Sequence, residues 1–82
     1  MELKISGHAL ARIQQRGITD RQVQEVFTEH RRMMSYASKD APGRWVYLVQ
    51  IGDRLLTVVT FPPIEDAAPD ATITVITAYW HK

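Results

Sequence analysis

No cysteine occurs among the 82 residues, which excludes disulfides, cysteine-held iron–sulfur clusters and thiol nucleophiles. Long apolar runs are missing too. Nothing approaches the roughly 20 residues of a membrane-spanning helix, and Met1 to Ser6 lacks the apolar core of a signal peptide. A soluble cytoplasmic protein, without membrane association, is therefore expected. Glycine is sparse, at positions 7, 17, 43 and 52, each where a cap or turn wants one, so no phosphate-cradling glycine loop exists. The three histidines stand in no H-E-x-x-H arrangement, so no metal site and no cofactor is expected. Serines 6, 35 and 38 lie in caps and loops without a nucleophile-elbow motif. Charge of one sign is also lacking: ten Lys and Arg face nine Asp and Glu, a net +1 that by itself says nothing about nucleic acid.

What is present suits one small domain, residues 1–82, with 45% hydrophobic residues for a thin core. A chain this short buries only about two-thirds of its unfolded surface. Arginine outnumbers lysine seven to three, which favours planar, bidentate recognition of phosphate or carboxylate. Through Tyr36 the basic residues hold a small excess over Glu2, Asp20, Glu25 and Glu29.

Ser6 as N-cap and Gly17 as C′ residue frame a first helix of about ten residues. Ala9, Leu10 and Ile13 give it an apolar side, and His8, Arg12 and Arg16 recur at i, i+4, i+8 along one flank. Thr19 or Asp20 caps a second helix running to about Glu29, with Val23, Val26, Phe27 and His30 as its inward face. The short Gly-Ile link makes the two an αα-hairpin. Arg31 to Tyr36 reads as a short edge strand, and Ala37 to Arg44 as a turn or loop. Trp45 to Ile51 and Leu55 to Phe61 are strands joined by the two-residue signal Gly52-Asp53.

Pro62-Pro63 ends the second of these strands, because neither proline donates to a ladder. An acidic, proline-rich exposed loop follows, up to Ala71. The last strand, from Thr72, alternates Ile73, Val75 and Thr77 against Thr72, Thr74 and Ile76. It then runs into Tyr79, Trp80, His81 and Lys82, polar tools where the sheet stops. The expected fold is α+β: two N-terminal helices packed on a three- to four-stranded, mainly antiparallel sheet.

His8-Ala9, Arg12 and Arg16-Gly17-Ile18, with the closing VITAYW at Val75 to Trp80, resemble small bacterial and phage proteins of a domain family of unknown function. That family looks like a distant relative of the RelE-like toxins and the wider barnase, EndoU, colicin and RelE ribonuclease group. The resemblance covers nearly the whole chain. It implies a RelE/barnase-like sheet carrying a metal-independent endoribonuclease site, with an antitoxin or immunity protein as partner. Carried over by position, His8, Arg12 and Arg16 match the opening motif, and Thr77 and Tyr79 the closing one. RelE toxins are strongly basic. A net charge of +1 and an acidic Pro62 to Asp70 loop depart from that pattern, and ribosome-dependent cleavage is not implied.

The chemistry is coherent residue by residue. Cleaving RNA without metal takes a group to accept the 2′-hydroxyl proton, one to protonate the leaving 5′-oxygen, and cations on the phosphate. His8 suits proton transfer, Arg12 and Arg16 a phosphate clamp, and Tyr79 with Thr77 the end of the site. Each has a plainer role as well. His8 would brace the helix start, Arg12 or Arg16 would pair with Asp20, Glu25 or a strand carboxylate, and Tyr79 would sit at the core rim. Trp45 and Trp80 read as core anchors, and His30 as structural. Two functions follow: an RNA-binding, RNA-cleaving toxin-like domain, or a non-catalytic interaction module pairing through the exposed strand Met33 to Tyr36.

Overall fold

Two caps decide where the helices begin. The computed structural model, which describes residues 1–81, places helix α1 at Gly7–Gln15 behind Ser6, whose Oγ accepts from the Ala9 N–H at 3.2 Å. Its far end closes on Gly17 at φ +71°: the Ile18 N–H donates to Ile13 O and the Gly17 N–H to Gln14 O. That pair of bonds satisfies carbonyls the helix leaves open, and it turns Ile18 into the core. Helix α2, Asp20–Gln24, starts with a reciprocal box in which Thr19 and Gln22 each bond the other's N–H.

Helix α2 is shorter than the spacing predicts. It gives way to single 3₁₀ turns at Glu25–Phe27 and Glu29–Arg31, and His30 is exposed rather than inward-facing. Val23, Val26 and Phe27 meet the core in either geometry, so their spacing could not distinguish them. Beyond Phe27 the chain is held by arginines instead. Arg31 pairs with Glu25 at 3.0 Å and donates to Gln50 O, and Arg32 donates to Val26 O.

The sheet has five strands and is mixed, where three or four mainly antiparallel strands were expected. Its strands are β1 (Glu2–Ile5), β2 (Arg32–Ala37), β3 (Trp45–Ile51), β4 (Arg54–Phe61) and β5 (Thr72–Trp80), ordered β1-β5-β4-β3-β2. The added strand, β1, lies parallel to β5 and pairs Glu2–Ile5 with Thr72–Val75. The other pairings are antiparallel, and β3 turns into β4 at Gly52-Asp53 as anticipated.

One sheet face packs on the helices. Ala9, Ile13, Ile18, Val23 and Val26 meet Tyr47, Val49, Leu56, Val58, Val75 and Ala78 in one cluster, with Trp45 and Trp80 at its rim. The acidic connection after β4 is tied to this core instead of hanging free. Tyr47 is buried, donates from its hydroxyl to Glu65 Oε2 at 2.6 Å and accepts from the Ile64 N–H at 2.8 Å. Burial, more than the Glu65 carboxylate, pushes the Tyr47 phenol well above its ordinary range, so it stays a donor.

Candidate functional site

A bulge in β5 decides where the closing motif points. The β4–β5 register pairs Thr60 with Val75 but Val59 with Thr77, so Ile76 is an extra residue on β5. In an unbroken strand Val75, Thr77 and Tyr79 would share one face. The bulge instead sends Ala78 into the helix-packed core and puts Thr77 and Tyr79 together on the opposite, open face. The expected alternation, which grouped Thr77 with Ile73 and Val75, fails for this reason.

The edge of β5 matters equally. Strand β1 stops at Ile5, where Ser6 begins α1, so beyond Val75 the outer edge of β5 has no strand beside it. Arg16, at the other end of α1, fills the gap. Its Nη1 donates to Ala78 O at 2.9 Å and reaches Thr77 Oγ1 at 3.4 Å, with its guanidinium carbon 5.9 Å from the Tyr79 ring centre. Trp80 answers from the core side, its Nε1–H donating to Arg16 O at 3.2 Å. Helix end and strand end thus clasp each other. Arg54 stacks on the same indole, 3.8 Å from its centre.

This anchoring leaves Arg16 chemically available. Its Nη1 is engaged, while Nε and Nη2 have no protein partner among the described residues. That Nε/Nη2 edge is the one that grips a phosphate or carboxylate with two parallel hydrogen bonds. Among the described residues neither Arg12 nor Arg16 pairs with a carboxylate, and the ion pair is Arg31–Glu25. Helix α1 carries no acidic residue of its own.

Of the residues singled out by sequence, the structure gathers Arg16, Thr77 and Tyr79. His8 and Arg12 are exposed on the same flank of α1. At 1.5 Å of rise per residue, His8 stands about 12 Å up the helix from Arg16, and Arg12 midway. The stripe is therefore a line of groups leading to the clasp. Lys82 lies outside the described residues.

Sequence reasoning missed Arg54, and it read Tyr36 and the loop after it only as edge strand and turn. The hairpin signal at Gly52-Asp53 places Arg54 at the start of β4, opposite Ile51, but its meeting with Trp80 depends on the β4–β5 pairing of Leu56 with Trp80. No three His, Cys, Asp or Glu side chains cluster to hold a metal ion among the described residues. No helix among the described residues is long and apolar enough to cross a membrane.

A helix-braced mixed sheet with a basic helix end laid on its final strand is a fold class, and comparison places the chain in a family. It belongs to the domain of unknown function DUF4258, whose model matches residues 5–80. No curated protein and no solved structure matches the chain.

Proposed function

We propose that this protein binds RNA and cleaves it without a metal, as a toxin-like domain distantly akin to the RelE and barnase ribonucleases. The observation that carries the reading is the clasp. Arg16 spends one nitrogen on β5 and keeps its bidentate edge free beside Thr77 and Tyr79. A scissile phosphate held there has the Tyr79 hydroxyl and the Thr77 hydroxyl at hand. Arg12 and His8 extend the binding line along α1.

The reaction needs only the chain, its substrate and water. The 2′-oxygen attacks phosphorus while its proton passes to a base, and the P–O5′ bond breaks as the 5′-oxygen takes a proton from an acid. The products are a 2′,3′-cyclic phosphate and a free 5′-hydroxyl. The Tyr79 phenol supplies one proton-transfer partner and a water at this open site the other, while His8, about 12 Å up α1, meets the RNA strand further along. Arg16, with Arg12 beside it, steadies the charge that builds on the phosphoryl oxygens. An antitoxin or immunity protein is the expected partner, because an unchecked ribonuclease harms its host.

A second reading is favoured by the outer edge of β2, which has no neighbouring strand and exposes Met33, Met34 and Tyr36. A partner strand added there would make the chain an interaction module without catalysis.

Induction in bacteria separates the two. The toxin reading expects growth arrest with fragmented total RNA, relieved in a His8→Ala, Arg16→Ala double variant that still accumulates as folded protein. Unchanged growth and intact RNA on induction of the wild-type chain would leave the interaction module.

A further inference from the structure

Tyr79 faces a second feature of the open side besides Arg16. A groove of about 660 Å³ runs from Tyr79 to Tyr36 on β2, floored by Val46 and walled by Lys39 and Asp40. That size is ordinary for a small-ligand site. Both tyrosines leave more than two-fifths of their surface in solvent, 44% for Tyr36 and 43% for Tyr79.

The wall is built rather than slack. Ser38 Oγ accepts from the Asp40 N–H at 3.2 Å, and the Ser38 N–H donates to Arg44 O at 2.9 Å. Gly43, at φ +83°, lies so close to Phe61 that a Cβ there would stand 2.8 Å from the ring. The loop is therefore pressed onto the end of β4 by the residue that permits it.

Charge decides what fits. Lys39 and Asp40 are adjacent and opposite in sign, so the groove offers no net attraction for a phosphate, which Asp40 repels. A flat, neutral group with donors and acceptors on its rim is matched instead: aromatic faces to stack on, an apolar floor, an ammonium for ring acceptors and a carboxylate for amino groups. Arg16 lies across Tyr79, next to the groove, with its Nε/Nη2 edge turned to no protein partner among the described residues.

We propose that the Tyr36–Tyr79 groove is a nucleobase subsite, taking an unstacked base of the single-stranded RNA whose phosphate sits on Arg16. The subsite rests on the RNA-binding reading above and adds Tyr36, Lys39 and Asp40 to it. A base paired in a duplex cannot enter, so single strands are selected.

Binding of fluorescein-labelled 2′-O-methyl RNA heptamers, which cannot be cleaved through the 2′-oxygen, tests this by anisotropy. The full chain is compared with Tyr36→Ala, Tyr36→Trp and Arg16→Ala, using an intact strand, a set of strands each with one abasic position, and a duplex. The subsite predicts about tenfold or greater weakening for Tyr36→Ala and retention in Tyr36→Trp. One abasic position should weaken wild type by a similar factor yet cost Tyr36→Ala nothing further, and the duplex should bind poorly.

If Arg16→Ala loses affinity while Tyr36→Ala binds like wild type, the subsite is wrong and the phosphate clamp stands. If wild type binds no strand, the RNA reading fails and the subsite with it. A changed oligomeric state in Tyr36→Ala with unchanged RNA affinity would make the face a protein contact and overturn the proposal.

Discussion

The two faces of the sheet draw on the same aliphatic and aromatic residues, yet they are finished in opposite ways. On one, Tyr47, Val49, Leu56, Val58, Val75 and Ala78 are sealed under the helices, and the single phenol has its hydroxyl locked between Glu65 and Ile64. On the other, Val46, Leu48, Thr57 and Val59 are buried only by taller neighbours, and Met34, Tyr36, Phe61 and Tyr79 stand out into solvent. The Thr57 hydroxyl, paired in register with Tyr79, is buried without a hydrogen-bond partner. A tyrosine held from every side serves stability; one left half-open beside a guanidinium edge is what the proposed RNA site uses.

If that contrast is real, the largest effect on folding lies under the helices. Ile13 is fully buried, so Ile13→Ala is expected to cost about 2–5 kcal/mol. In a domain this small that lowers Tm by roughly 10 °C or more in a circular-dichroism melt. Tyr79→Ala should lie within about 1 kcal/mol of wild type by the same measurement. Equal losses from the two would erase the distinction between the faces.

Tyr47→Phe comes next, at about 1–3 kcal/mol, because it leaves the Ile64 N–H without an acceptor. It also carries a signature in pH. An unfolded tyrosine ionises near 10, whereas burial holds the folded Tyr47 phenol protonated well above that. Between those two values the folded state binds more protons than the unfolded one, so stability is complete below about pH 10 and falls as pH rises further. Urea melts from pH 8 to 11 should show this decline in wild type and a smaller one in Tyr47→Phe.

On the open side, Arg16→Gln sharpens the comparison through binding. It should weaken single-stranded RNA by about tenfold and flatten the salt dependence by about one phosphate contact. An unaltered salt slope would mean that the guanidinium meets no phosphate. A smaller loss of stability than in the core is expected from Gly43→Ala, about 1–2 kcal/mol, since a left-handed φ and the Phe61 ring both oppose a Cβ. It should also loosen the wall of the Tyr36–Tyr79 groove, seen as faster amide exchange at Ser38 to Arg44.

Much of the scaffold was legible in the sequence. Ser6, Thr19 and Gly17 mark helix ends because caps answer to local hydrogen bonding, and Gly52-Asp53 marks its hairpin for a similar reason. Strand β1 was hidden: four residues are too few to show a period, and its partner Thr72–Val75 lies at the far end of the chain. The end of α2 was hidden because Val26 and Phe27 pack inward from a 3₁₀ turn as readily as from a helix.

The site divides along the same line. That Arg16 shares a stripe with His8 and Arg12 follows from helical spacing alone. That Arg16 meets Thr77 and Tyr79 depends on two tertiary facts, the short β1 that leaves an edge of β5 free and the extra residue Ile76. A phase break was visible in ITVITAYW, where the buried positions step from Val75 to Ala78. Tyr36 could not be joined to Tyr79 without the strand order.

The central claim is that the open face around Arg16, Thr77, Tyr79 and Tyr36 is where RNA sits. Titrating a short, uncleavable single-stranded RNA into the ¹⁵N-labelled chain and mapping amide shifts tests it most directly. The account predicts the largest perturbations at Arg16, Tyr36, Lys39 and Thr77 to Tyr79, fading with added salt. Shifts confined to α2 and the Ile64–Asp66 turn, or none at all, would contradict it.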